Sequence, residues 1–147
     1  MSFGMMAIHL PKILFTKLSI HGIQAYPEEC CGAMLGTIDS KNQLKIVTEL
    51  VKIENSSNKN KHRRFTITSQ DYMQLEKKAK EKKLTLLGFY HTHPDHPCQP
   101  SQTDLKYSWP FFSYIILSIK DGNIDKCRSF FLDEKLNEFK EESFEII

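Results

Sequence analysis

The sequence predicts an α+β fold in one domain, residues 1–147, and three observations carry that prediction. Apolar residues recur at helical spacing in two separate segments. Several short apolar runs have the length and β-branched or aromatic content of strands. Turn-forming residues join neighbouring runs as hairpins.

Taken in order, Pro11 opens a segment in which Leu14, Leu18, His21 and Ala25 recur in steps of four, three and four, so a helix is expected from Pro11 to Tyr26-Pro27. His21 falls on its apolar face and reads as a histidine hydrogen-bonded at the edge of the core. Cys31 to Ile38 reads as a buried strand. After the turn Asp39-Ser40-Lys41-Asn42, Leu44 to Ile53 reads as its antiparallel neighbour. The polar stretch from Glu54 to Arg64 carries no periodicity and reads as a loop, followed by a short extended piece Phe65-Thr66-Ile67.

Thr68 or Ser69 can cap a second helix with Tyr72, Leu75 and Ala79 on one side and a solvated lysine-rich face elsewhere. Leu84 to His93 is expected as a strand whose alternate residues Leu87, Phe89, His91 and His93 share a face. Pro94 stops it, and Pro97 and Pro100 stiffen the connection that follows. Ser101-Gln102-Thr103-Asp104 has the pattern of a helix start. Tyr114 to Ile119 and Cys127 to Leu132 read as strands about the turn Lys120 to Asn123, and Glu138 to Ile147 as a final strand.

Composition narrows the function classes. Twenty basic against 18 acidic residues leave a net charge of +2, too small to draw the whole molecule to nucleic acid or to a membrane, so neither is expected as a partner. The basic cluster Lys59, Lys61, His62, Arg63, Arg64 reads as a solvated loop, with an acidic partner face or nucleic acid as the alternative. The first ten residues lack the features of a secretory signal and no run suits a bilayer span, so a cytoplasmic location is expected. Cys30, Cys31, Cys98 and Cys127 form no CxxC and read as reduced thiols, Cys31 and Cys127 as small packed groups.

Chemistry is concentrated at His91-Thr92-His93. Two histidines at i and i+2 on an extended strand point to the same side, so both imidazoles can converge on one metal ion. Asp104 can supply a third ligand, which leaves a zinc ion an open fourth position, the arrangement of a catalytic site. Read alone, Ser101-x-x-Asp104 is equally a helix-capping pattern. Upstream, Pro27-Glu28-Glu29-Cys30-Cys31-Gly32 puts a carboxylate at the start of a buried strand, where it can reach a metal-activated water as general base. On chemistry alone Glu28 and Glu29 are rivals. His96 and Cys98 lie close in sequence as candidate extra ligands.

Pro27 to Gly32, His91 to Pro94 and Pro100 to Asp104, taken together and in order, resemble the JAMM or MPN+ zinc metalloprotease family, and more closely its short bacterial members. The likeness runs from about Ala7 to Glu142. It implies a JAMM/MPN-like domain, with a mixed, curved β-sheet flanked by helices. It also implies one catalytic Zn2+ held by His91, His93 and Asp104, with Glu29 as general acid and base. Ser101 would stabilise the tetrahedral intermediate. Thr92 stands where the family often has serine, on the opposite strand face.

The implied activity is hydrolysis of a peptide or isopeptide bond by Glu29-assisted attack of zinc-bound water. The implied substrate lies after the C-terminal diglycine of a ubiquitin-like or sulfur-carrier protein, or is a peptide; a homodimer is compatible with this reading. The alternative is a non-catalytic scaffold of the same fold. A zinc deaminase is disfavoured, because Pro97-Cys98 lacks both the second cysteine and the His-x-Glu of that signature.

Overall fold

The computed structural model describes residues 6–54, 67–101 and 108–147. In chain order the elements are β1 (Ala7–Leu10), α1 (Lys12–Ala25), β2 (Cys31–Asp39), β3 (Leu44–Ile53), α2 (Ser69–Glu81), β4 (Thr85–Pro94), β5 (Ser113–Lys120), β6 (Asn123–Asp133), β7 (Glu138–Glu141) and β8 (Phe144–Ile146). The strands form one mixed sheet in the order β7-β6-β5-β4-β2-β3-β1-β8. β4 runs parallel to β5, and β1 runs parallel to both β3 and β8.

The outermost strands β7 and β8 are joined by only Glu142 and Ser143, so the sheet curls until its two ends meet. Backbone bonds fix this closure: the Ile8 amide donates to the Ser143 carbonyl at 2.9 Å, and the Glu142 amide to that of Ser129 at 3.0 Å. Glu138 to Ile147 is therefore two strands at opposite ends of the sheet rather than one. β1 is the element that periodicity does not reveal, since four residues are too few to show a period before Pro11.

Each helix covers one face. α1 lays Leu14 and Leu18 against Ile8, Leu10, Met34, Val47, Leu87, Tyr90, Ile115 and Leu117. α2 lays Leu75 and Ala79 against Ala33, Leu35, Leu86, Phe89, Phe112 and Tyr114. Burying a side chain of this kind contributes about 1.5–3 kcal/mol, so these two layers dominate stability. Within β4, Leu87 faces α1 whereas Phe89 faces α2, against the shared face expected for them. The cause is a bulge: Met34 pairs with Gly88 but Leu35 with Leu86, so the alternation slips by one at Leu87. Downstream of the slip the alternation is regular, and the two histidines remain in phase.

Local chemistry sets the element ends. The Thr68 hydroxyl accepts from the Asp71 amide and the Asp71 carboxylate accepts from the Thr68 amide, both at 3.0 Å, a capping box that starts α2. Thr68→Ala is expected to cost about 1 kcal/mol, read as a lowered denaturant midpoint with unchanged slope. The β5–β6 turn puts Asp121 (φ +52°) and Gly122 (φ +81°) in the left-handed region, as a two-residue hairpin turn requires. No helix among the described residues is long and apolar enough to cross a membrane. The basic cluster Lys59 to Arg64, the Phe65-Thr66 piece and the helix expected after Ser101 lie outside the described residues.

A lysine and a glutamate lie deep in the core. Lys45 is 1% exposed, and its ammonium donates to the Leu87 carbonyl (3.3 Å), the Phe111 carbonyl (3.1 Å) and the Ser113 hydroxyl (2.9 Å). Glu142, 7% exposed, accepts from the Ser129 hydroxyl at 2.7 Å. Burial lowers the Lys45 pKa to about 8, opposed by the nearby Glu142 charge. Burial likewise raises the Glu142 carboxyl, opposed by hydrogen bonds from Ser113 and Ser129 and by Lys45. The strand alternation that buries Lys45 gives no hint, in the sequence, of the partners waiting for it.

Candidate metal centre and active site

β4 delivers His91 and His93 to the C-terminal end of a central strand, flanked by β2 and β5. They are 1% and 5% exposed. Their Nε2 atoms approach to 3.0 Å and their ring centroids lie 4.8 Å apart. Two imidazoles on one tetrahedral zinc at about 2.0–2.1 Å would have nitrogens roughly 3.3 Å apart, so the pair already has close to the required spacing. His93 Nδ1 lies 2.9 Å from the Pro97 carbonyl, which can only accept. That bond puts the ring proton on Nδ1 and leaves Nε2 a lone pair, the tautomer of a metal-ligating histidine held by a carbonyl. This donor set fits zinc.

The glutamate segment reaches the pair through the β2–β4 register. Cys31 is level with His91, and the Thr92 amide donates to the Cys30 carbonyl at 3.0 Å. β2 begins at Cys31, so Glu29 lies just before the paired strand, two residues from the position level with His91. Glu29 is 6% exposed, whereas Glu28 is exposed and gives its amide to the Ala25 carbonyl at 2.9 Å. Of the two rival carboxylates, Glu29 is the buried one.

Ser101 is exposed at the far end of the Pro-rich connection. Asp104 lies outside the described residues. Among the described residues no three His, Cys, Asp or Glu groups are placed to hold a metal ion, so neither Glu29, His96 nor Cys98 completes a triple with the histidines. Cys98 instead turns its thiol to the Ile116 carbonyl at 3.1 Å, and His96 is exposed. Burial keeps the thiols protonated: Cys30 is pushed up to about 11, and Cys31, Cys98 and Cys127 are raised as well. His21 donates to or accepts from the Tyr90 hydroxyl at 2.8 Å, and burial followed by the Lys52 charge lowers its pKa. It is the core-edge histidine its spacing suggests.

Two supporting residues escape motif reading. Asp95, directly after His91-Thr92-His93-Pro94, has φ +56°. Its carboxylate accepts from the Tyr26 hydroxyl at 2.6 Å and from the Asp121 amide at 2.8 Å, and these two bonds hold its pKa below the usual carboxylate range. It thereby ties the histidine loop to the start of the glutamate segment and to the β5–β6 turn. Arg128 donates to the Cys98 carbonyl at 3.1 Å and pairs with both carboxylate oxygens of Glu141, at 3.0 and 2.8 Å. The connection after β4 is thus pinned by the side chains of Tyr26 and Arg128 and by the Asp121 amide, in addition to its prolines. An aspartate following His-Pro was the available signal for the first; none marked the second.

Residues 11–133 match the family of prokaryotic homologs of the JAB domain. The chain belongs to that family. A Desulfitobacterium hafniense protein solved in solution superposes with a TM-score of 0.81 at 25% identity, covering 95% of this chain and 92% of its own. A Salinibacter ruber protein, also solved in solution, gives 0.70 at 36% identity, covering 95% and 90%. The crystal structure of a JAB1/MPN domain protein from Archaeoglobus fulgidus gives 0.57 at 18% identity, covering 95% and 98%, and shares the fold. No curated protein matches the chain. The JAB-domain chain therefore has the mixed, curved α+β sheet that its motifs imply.

Proposed function

We propose that this chain is a zinc-dependent metallopeptidase that hydrolyses a peptide or isopeptide bond, with the bond after the C-terminal diglycine of a ubiquitin-like or sulfur-carrier protein as its target. The observation that carries this reading is the pair of Nε2 atoms 3.0 Å apart, one ring fixed by the Pro97 carbonyl, in a JAB-domain chain with a buried glutamate two residues before the strand position level with His91. His91 and His93 would hold the metal, with Asp104 as third ligand. Zinc bound there supplies a Lewis acid and brings a coordinated water to a pKa of about 7.

The chain's own groups do the rest. Glu29 takes the proton of the attacking water and later gives it to the leaving amine, a role suited to a carboxylate that is 6% exposed and shielded from bulk solvent. Ser101 donates a hydrogen bond to the developing oxyanion, an effect of about 3–4 kcal/mol in comparable sites. A diglycine tail suits a narrow entrance because it has no side chains, and its backbone can pair with a strand edge.

The test is incubation of the zinc-loaded protein with small ubiquitin-like carriers extended beyond Gly-Gly, read by mass spectrometry. The reading expects trimming to Gly-Gly, lost with a chelator and restored by zinc. Intact carriers from a zinc-loaded, folded protein favour the binding scaffold instead.

A further inference from the structure

We propose that the Thr92 hydroxyl is a positioning group for Glu29; this rests on the hydrolase reading above. In a regular antiparallel ladder Cys30 and Thr92 would exchange both backbone bonds. Here the Thr92 amide does donate to the Cys30 carbonyl (3.0 Å), but the Cys30 amide donates to the Thr92 Oγ1 at 2.9 Å in place of the Thr92 carbonyl. The paired strand β2 begins one residue later, at Cys31. The hydroxyl therefore takes over where the ladder ends, satisfying a buried amide while the main chain leaves the sheet with Glu29 as its next residue.

Thr92 is itself held rigidly. It is fully buried, on the face opposite the histidines, and its methyl lies against α1 at Gly22. A Cβ on Gly22 would fall 3.0 Å from that methyl carbon and 2.8 Å from Ile119 Cδ1, so glycine lets the helix press on both. With the methyl against α1, the hydroxyl points to Cys30. The methyl packs against α1, and the hydroxyl supplies the acceptor for the Cys30 amide beside Glu29.

Catalysis is sensitive to such placement, since a shift of about 1 Å can cost on the order of 100-fold. Thr92→Val keeps the shape and removes the acceptor; Thr92→Ser keeps the acceptor and removes the methyl. In the zinc-loaded full chain, Thr92→Val is expected to lose on the order of 10- to 100-fold in kcat with KM and zinc stoichiometry nearly unchanged, and Thr92→Ser to stay within about threefold of the unmodified protein. Cys30 amide exchange, followed by NMR, should quicken in Thr92→Val and not in Thr92→Ser. Ile8→Val, a loss of core packing in strand β1, should lower stability and leave kcat unchanged, which separates positioning from stability.

Full turnover in Thr92→Val despite faster Cys30 exchange overturns the proposal, as does an equal kcat loss in all three variants. Absence of turnover in the unmodified protein overturns the hydrolase reading itself, and is recognised by an exchange difference that persists without any activity to explain.

Discussion

Glu29→Gln is expected to keep one zinc per chain and to lose turnover by about 10²- to 10⁴-fold, the range for removing a general base. That corresponds to about 3–5 kcal/mol of transition-state stabilisation. The amide is nearly isosteric with the carboxylate but cannot accept a proton at neutral pH. Glu29 does not form a ligand triple with the histidines among the described residues, so metal affinity should barely change. Single-turnover cleavage of an extended carrier, with metal content measured on the same sample, reads both quantities. Normal turnover removes Glu29 from the mechanism. Glu28→Gln is the control, because Glu28 is exposed, and it should retain activity.

The second large effect concerns stability. Lys45→Met is expected to destabilise by about 3–5 kcal/mol, because it leaves the buried Glu142 without its counter-charge and takes the donor from the Leu87, Phe111 and Ser113 oxygens. For a chain of 147 residues this is a fall in Tm of roughly 10 °C. Lys45→Met with Glu142→Gln should recover a large part of it, since what remains buried is then neutral.

The pH dependence has a definite sign. The Lys45 pKa falls from 10.5 to about 8 on folding, so between those values the unfolded chain binds more protons than the folded one. Stability from this group is present above pH 10.5 and lost as pH falls through about 8. The stability of the unmodified protein relative to Lys45→Met should therefore grow with pH across that window in urea titrations. A difference that is flat with pH contradicts a buried, titrating Lys45.

The elements most readable from sequence are those whose pattern is local. α1, α2 and the β2–β3 hairpin follow from period, caps and turn residues, and the ends of α1 and the hairpin strands and the start of α2 fall within a residue or two of expectation. What escaped depends on partners distant in the chain. β1 owes its existence to β3 and β8, which only the closed sheet brings alongside it. Glu138 to Ile147 looks like one strand because nothing in its residues records that Glu142 and Ser143 cross between the sheet's two ends. The Leu87 face was misread because a bulge is set by the register of two strands, not by either alone.

The site divides in the same way. The histidine pair is legible because an i, i+2 spacing on a strand fixes direction without knowledge of the rest of the fold. Glu29 and Glu28 are indistinguishable by local chemistry and separate only in the fold, where Glu29 is buried and Glu28 exposed. The roles of Asp95, Arg128 and the Thr92 hydroxyl rest on contacts between elements 30 to 69 residues apart in several cases, for which no short motif exists.

The central claim is that His91 and His93 share one divalent ion that retains room for solvent. X-ray absorption on protein carrying one equivalent of zinc tests it most directly. The account predicts two imidazole nitrogens and oxygen donors at about 2.0–2.1 Å with no sulfur, and loss of the bound ion in His91→Ala and His93→Ala. A folded chain that takes up no zinc, or a zinc ion bound through a cysteine sulfur at about 2.3 Å, contradicts it.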